Sequence, residues 1–325
     1  MTPRHKIRAL VENRLPGKAP RALWRHYPHE DFQPEAFVVA SCDFVQRYKM
    51  DVAKVTPRSS YGLRDYGSVD VYAGDYLGRP KYMNRVIERP NQWEQLPVLD
   101  PHSGFLGQTL GVTRDIVAKL AGEYPVILTV FSPLTQAGNL AGIDGLMAQW
   151  KSEPTVVRAG LQTLTETILR QLRVLEDIGI DGIYLAVQEC HWPGVDETGL
   201  LAEGHLLNRA ILKAAPGWFQ MVHVHGQGQH FADYARYPAQ LLHWDHKMSG
   251  IGHAAGASQF PGIVSGSIVW PLSTEPNGEA LIRSQVRQAR KSPPRHRELL
   301  SSECVIPFET PPQWIEAFVD EADAD

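Results

Sequence analysis

Short apolar runs alternate along the chain with longer amphipathic stretches. Eight runs rich in Val, Ile, Leu and aromatic residues predict β-strands, and they cover 21–24, 51–56, 125–131, 182–187, 219–225, 241–244, 262–265 and 299–302. Between them, apolar residues three or four positions apart predict helices, of which the clearest follows Pro154 and ends at Gly179. Such alternation over about 300 residues is typical of a (β/α)8 TIM barrel, an α/β fold. A doubly wound open sheet is the main alternative, although no glycine-rich dinucleotide-binding motif follows any run.

The stretch 58–108 interrupts this alternation, because glycine and proline break every periodic run in it. Its aromatic residues favour an ordered excursion over a disordered linker; they include Tyr61, Tyr66, Tyr72, Tyr76, Tyr82 and Trp93. Because the stretch leaves the second predicted strand at the active face, we expect it to fold over that face as a lid. The sequence thus predicts one barrel domain over 1–325, with an irregular excursion after the second strand.

The predicted strand 219–225 carries two histidines on one face. Residues two apart on a strand point to the same side, so His223 and His225 present their imidazoles together, next to a glycine-rich turn at 226–228. Such a pair can begin a metal site, or its members can be hydrogen-bonded core histidines. Histidine is also locally enriched, since eight of the 13 fall between His191 and His253.

Cys304 follows the eighth predicted strand, and the barrel geometry can bring its sulfur to the histidine pair. A His–His–Cys set suits Zn²⁺, which binds imidazole and thiolate at about 2.0–2.3 Å and keeps a fourth position open in catalytic sites. The alternative is that Cys304 is a small buried apolar residue. We therefore predict a metal site formed by His223, His225 and Cys304, called here the ligand set.

Other polar residues follow the predicted strands, at the barrel face where such enzymes keep their active sites. Asp245 can orient an imidazole or can begin a loop, and Arg25 and Arg58 can bind a substrate carboxylate or form surface ion pairs. From this position, we predict catalytic roles for Arg25, Gln188 and Asp245. We predict substrate contacts for Arg58, Tyr61, Ser132, His191 and Ser265.

Composition narrows the class of protein. With 43% hydrophobic residues the chain of 325 residues can bury a large core, and its net charge of −4 with dispersed basic residues argues against a nucleic-acid binder. A small-molecule partner is expected. Three cysteines without a close pair indicate a reducing compartment, and neither a signal peptide nor an 18-residue apolar run is present. We therefore predict a cytoplasmic protein that is neither exported nor membrane-spanning.

Several motifs, taken in order, resemble the uroporphyrinogen decarboxylase superfamily, which holds that decarboxylase and the zinc-dependent methyltransferases acting on methylated corrinoids. The resemblance extends from about residue 7 to residue 320, and its motifs lie at 34–37, 51–55, 132–140, 223–226 and 304–312. It implies a (β/α)8 barrel, in agreement with the strand count.

The resemblance is greater to the methyltransferase branch. The decarboxylase branch has two arginines after the first strand, of which at most Arg25 is matched, and a late histidine that Cys304 replaces. The methyltransferase branch has a His-x-Cys pair and a late cysteine; His223 and Cys304 match, and His225 occupies the first cysteine position. That branch implies a zinc ion, which activates a thiol acceptor for methylation.

The first functional hypothesis is therefore a zinc-dependent methyltransferase, whose methyl donor is a corrinoid carried on a partner protein or a small molecule. The alternative is a uroporphyrinogen decarboxylase-like carboxy-lyase acting in tetrapyrrole metabolism, which would use arginines instead of a metal at the same face. A third hypothesis is a barrel that binds a ligand without chemistry. The sequence indicates no oligomeric state.

Overall fold

Seven parallel strands form one curled sheet in the computed structural model, which describes residues 1–120, 122–226, 231–291 and 295–324. The strands, with a separate pair β2 and β3, are β1 (Ala53–Val55), β2 (Asp70–Tyr72), β3 (Pro80–Tyr82), β4 (Val126–Phe131), β5 (Gly182–Val187), β6 (Met221–Val224), β7 (Leu241–Trp244), β8 (Ile263–Ser265) and β9 (Glu298–Leu299). The order in the sheet is β1-β4-β5-β6-β7-β8-β9. Because this order never reverses, the sheet lacks the switch point of a doubly wound fold.

Helices lie between most of these strands. They are α1 (Pro3–Val11), α2 (Pro34–Arg47), α3 (Gly104–Leu120), α4 (Pro133–Ala141), α5 (Ile143–Ser152), α6 (Pro154–Ile178), α7 (Leu200–Ala214), α8 (Phe231–Tyr234), α9 (His246–Ser249), α10 (His253–Gln259), α11 (Gly278–Lys291) and α12 (Pro312–Asp323). None of the described helices has the length and apolar character needed to cross a membrane.

Local sequence explains the longest helix. Proline begins α6 with a fixed φ at a position that needs no amide hydrogen, and Gly179 ends it with a left-handed φ of 78°. Its buried stripe follows the predicted spacing, with Val157, Leu161 and Leu164 among its members. The strands β4 and β5 are buried along their whole length, as expected of parallel strands covered on both faces.

The predicted first strand, 21–24, is present only as an isolated parallel bridge between Arg21 and Leu300. Towards β9, Pro20 has no amide hydrogen that could extend the ladder, and on the opposite edge the amide of Arg21 donates to the Asp51 side chain at 2.8 Å and not to a backbone carbonyl. On that same edge, the Arg21 carbonyl accepts from the Asp51 amide at 2.8 Å. The described residues therefore form seven of the eight predicted strands, and closure into a complete barrel stays a prediction.

The stretch 58–108 is ordered in short pieces. It contains the antiparallel hairpin of β2 and β3, 3-10 turns at 64–66 and 90–95, and the beginning of α3. The predicted turn at 226–228 is described only at Gly226, whose φ of 93° is left-handed, and its residues 227 and 228 lie outside the described ranges.

Candidate metal centre

The ligand set converges at the carboxyl end of the sheet. His223 lies in β6, His225 directly follows that strand, and Cys304 follows β9. One ligand atom from each residue lies within 4.8 Å of the others, and Cys304 Sγ is 4.0 Å from His223 Nε2. Ligand atoms bound tetrahedrally at about 2.0–2.3 Å are roughly 3.3–3.8 Å apart, so a small contraction would seat Zn²⁺. This is the single such cluster among the residues that the structure describes.

Burial sets the protonation of these side chains. It lowers the pKa of His223 well below the usual value, and it lowers the pKa of His225 to about 4. Both imidazoles are therefore neutral at neutral pH, with a lone pair available for a metal. Burial also raises the pKa of the Cys304 thiol to about 11, so in the absence of a cation that sulfur keeps its proton.

Gly226 allows the histidine strand to approach its neighbour. A Cβ at this position would collide with the His191 ring, and φ at 226 is left-handed, so a residue other than glycine would be strained and crowded. The His191 ring in turn lies 3.3 Å from the carbonyl of His225, measured from Nδ1. The backbone after β6 is thus fixed against the turn that follows β5.

A cavity of about 300 Å³ opens over the ligand set. Gln188 and His191, both predicted at this face, line it together with the three ligand residues. Its other polar lining residues include His26, Lys54, Thr56, Ser59, Arg79, Tyr82 and Tyr184. No aspartate or glutamate of the described residues lines the cavity, which therefore favours a neutral or negatively charged ligand.

Lys54 is a functional candidate that the sequence reasoning missed. Its Nζ donates to Thr56 Oγ1 at 3.0 Å and lies 4.3 Å from the centroid of the Tyr184 ring. Burial lowers the pKa of Lys54 to about 7. The available signal was a lysine between Ala53 and Val55, at the centre of a predicted buried strand.

The two predicted arginines lie away from the cavity lining. Arg58 is buried and pairs with Asp70, and its Nη1 lies 3.6 Å from Asp31 Oδ2. Arg25 donates from Nη1 to the Phe308 carbonyl at 2.9 Å. Both guanidinium groups thus have protein partners.

Four other predicted residues are engaged in the scaffold and do not line the cavity. Asp245 caps α9 by accepting from two backbone amides, at 3.0 and 2.7 Å. The hydroxyls of Ser265 and Tyr61 donate to backbone carbonyls, at 2.8 and 2.9 Å respectively. Ser132 is fully buried and donates to Glu189 Oε2 at 2.8 Å.

Glu189 ties the turn after β5 to two helices. Its buried carboxylate accepts from Ser132, from Thr135 Oγ1 at 2.7 Å and from Asn208 Nδ2 at 3.1 Å. The backbone amide of Gln188 also donates to Oε2, at 3.1 Å. This network holds the turn that carries Gln188 and His191 into the cavity.

A sequence model of the uroporphyrinogen decarboxylase (URO-D) family matches residues 18–324. Among curated proteins, no sequence matches the chain. A solved methyltransferase from Methanosarcina mazei is similar in fold, with a TM-score of 0.85 and 14% identity over 99% of this chain and 98% of that one. A B12-independent methionine synthase from Shewanella sp. W3-18-1, solved in complex with selenomethionine, has a TM-score of 0.58 and 12% identity, covering 94% of this chain and 91% of that one.

Proposed function

The chain belongs to the uroporphyrinogen decarboxylase family, and from that premise we propose that it is a zinc-dependent methyltransferase. In this proposal the ligand set binds one Zn²⁺, and a methyl group passes from a corrinoid or a small methyl donor to a thiol acceptor. The observation that carries the proposal is the convergence of His223, His225 and Cys304 within 4.8 Å beneath the cavity.

The donor set fits zinc. Two neutral imidazoles and one cysteine match the nitrogen and sulfur ligands that Zn²⁺ prefers, and three protein ligands leave a fourth position for a substrate. Bound there, zinc would lower the pKa of an acceptor thiol and so favour the thiolate at neutral pH. The methyltransferase and the methionine synthase of similar fold support methyl transfer as the reaction.

The protein's own groups would bind and orient the acceptor. A cavity of about 300 Å³ suits a small molecule. The protonated form of Lys54, and Arg79, which also pairs with Asp75 at 2.8 Å, would offset a negative charge on it. In the transfer, the acceptor sulfur gives an electron pair to the methyl carbon, and the bond from that carbon to the donor breaks with its pair left on the donor. The protein supplies position and charge for this step.

The carboxy-lyase alternative receives less support. It would use arginines to hold the carboxylates of its substrate. Arg58 is already paired with carboxylates, Arg25 donates to a backbone carbonyl, and among the described residues Arg79 is the one arginine that lines the cavity.

Metal content and methyl transfer test the proposal together. Protein purified without a histidine tag should contain about one zinc per chain, and Cys304→Ser and His223→Ala should lower that content. Cys42→Ser is the matched control, because Cys42 is buried in α2 and does not line the cavity. Transfer of a labelled methyl group from methylcobalamin to small thiols should stop on chelation and return with Zn²⁺. Full zinc content in both ligand variants would contradict the site.

Other parts of the proposal follow from the sequence. We propose that 1–325 is a single domain, that 58–108 acts as a lid, and that the protein works in the cytoplasm. The proposed partners are a small-molecule acceptor and, where the donor is a corrinoid, the protein that carries it. The catalytic roles of Arg25, Gln188 and Asp245 also stay proposals. So do the substrate contacts of Arg58, Tyr61, Ser132, His191 and Ser265.

A further inference from the structure

A further buried histidine, His243, contacts the ligand set through His223. His243 in β7 pairs in register with His223 in β6, and the Nδ1 atoms of the two rings are 2.7 Å apart. Two nitrogen lone pairs cannot approach so closely, so a proton lies between them. The question is which ring donates it.

The hydrogen bond of the other His243 ring nitrogen, Nε2, identifies the donor. Its Nε2 lies 2.8 Å from the backbone carbonyl of Ser302. A carbonyl oxygen can only accept, so the proton of that hydrogen bond belongs to His243 Nε2. His243 is fully buried, and among the described residues no carboxylate bonds to it, so its ring is neutral and carries this single proton. Its Nδ1 is therefore an acceptor.

It follows that His223 Nδ1 donates to His243. A neutral imidazole has one N–H, so the Nε2 of His223 keeps its lone pair. That atom is the one that faces Cys304 Sγ, at 4.0 Å. We propose that His243 is a positioning residue, which selects the His223 tautomer whose Nε2 is free to bind a metal.

Tyr184 supports the same arrangement from the side. Its hydroxyl lies 3.0 Å from His243 Nδ1, and its ring stacks on His223 with centroids 5.4 Å apart and an interplanar angle of 23°. If the hydroxyl donates to that nitrogen, His223 must still carry its proton on Nδ1, since otherwise two lone pairs would meet. The stacked ring also limits rotation of His223, so the tautomer and the orientation are fixed by different neighbours.

The expected effect on zinc affinity rests on the proposed metal site, whereas the His223 tautomer can be measured in the metal-free protein. Loss of an outer-shell partner of a metal-binding histidine typically weakens metal affinity about 10–100-fold. We expect His243→Phe to raise the zinc dissociation constant by that factor, measured by competition with a chromophoric chelator. Cys42→Ser is the control, because Cys42 is buried in α2, does not line the cavity and should change affinity little.

His243→Gln provides a rescue. Its amide NH₂ can donate to Ser302 and its oxygen can accept from His223, so this variant should bind zinc more tightly than His243→Phe. The ¹⁵N spectrum of labelled histidine reports the tautomer directly, with the His223 signals assigned by comparison with His223→Gln. In the zinc-free wild type we expect a proton on Nδ1 and none on Nε2, and in His243→Phe we expect the Nε2–H form to appear.

A wild-type His223 protonated on Nε2 would overturn the proposal, and so would wild-type zinc affinity in folded His243→Phe. If the wild-type protein binds no zinc, the proposed function fails. The tautomer measurement needs no metal, and it would then decide the role of His243 by itself.

Discussion

At the scale of single residues, His225 sets the charge of the proposed metal centre. Two neutral imidazoles and one thiolate leave Zn²⁺ with a net charge of +1, whereas a cysteine at 225 would leave it neutral. The greater charge would lower the pKa of a bound acceptor thiol further. It would also make the resulting thiolate a weaker nucleophile, because nucleophilicity falls with thiol pKa. In the proposed site, His225 would therefore increase the fraction of the acceptor that is thiolate and would decrease the nucleophilicity of that thiolate.

The ligand protonation states predict how zinc affinity depends on pH. Burial holds the pKa of Cys304 at about 11, that of His225 at about 4 and that of Lys54 at about 7. Between about pH 8 and pH 10, only the Cys304 proton among these is displaced by the metal. The apparent affinity for Zn²⁺ should therefore rise about tenfold per pH unit in that window.

This slope can be measured by chelator competition at several pH values, with proton release followed by calorimetry in buffers of different ionisation enthalpy. Cys304→Ser is the control, since without the thiol the slope should fall toward zero. A flat profile in the wild-type protein would remove Cys304 from the ligand set.

The sequence was sufficient to predict that His223, His225 and Cys304 converge, because strand periodicity and fold class determine their positions. His223 and His225 alternate with buried residues on one strand, and Cys304 follows a strand at the same end of the sheet. Lys54 and His243 could not be found in this way. Their importance depends on which side chains and carbonyls meet them across neighbouring strands, and the pattern of one segment does not contain that information.

At the scale of elements, predicted strands formed where apolar runs could pair with a neighbouring strand. The 21–24 run formed a bridge and not a full strand because Pro20 has no amide hydrogen for the edge towards β9, and because the Asp51 side chain takes the amide of Arg21 on the opposite edge. The glycines and prolines of 58–108 predict an irregular stretch, but the sequence does not predict the position of its hairpin. That placement depends on tertiary contacts such as the close approach of Gly78 to His26, where an added Cβ would lie 2.9 Å from the His26 Cβ.

The β2–β3 hairpin gives a prediction at this scale. Arg79, Pro80 and Tyr82 line the cavity, although Arg79 and Lys81 are exposed to solvent. If the hairpin acts as a lid, a ligand in the cavity should hold it closed and slow tryptic cleavage after Lys81, since the bond after Arg79 resists trypsin because Pro80 follows it. Cleavage after Arg14, an exposed residue beyond α1, is the internal control and should proceed at the same rate.

The ligand for this experiment is Zn²⁺ together with a thiol acceptor. Mass spectrometry follows the tryptic fragments over time. Protection at Lys81 with unchanged cleavage at Arg14 supports the lid. Equal rates at the hairpin with and without a ligand that demonstrably occupies the cavity would contradict it.

At the scale of the whole molecule, the ligand set joins distant parts of one sheet. His223 and Cys304 are 81 residues apart in the chain, and their segments meet only in the folded protein. A metal bound by both therefore binds the folded state and not the unfolded chain. By mass action, free zinc at 100 times its dissociation constant should stabilise the fold by about 2.7 kcal/mol.

The last prediction combines this stabilisation with substrate choice. Zinc should raise the Tm by roughly 5 °C in the wild type, and the rise should be lost in Cys304→Ser but kept in Cys42→Ser. Uroporphyrinogen should not be turned over. A porphyrinogen carries several carboxylates whose burial requires paired cations, and Lys54 and Arg79 are the only lysine and arginine in the described cavity lining. Scanning calorimetry and chromatography of the porphyrin products measure the two parts. Coproporphyrinogen formation by metal-free protein, with no thermal response to zinc, would instead establish the carboxy-lyase, since that chemistry needs arginines and no metal.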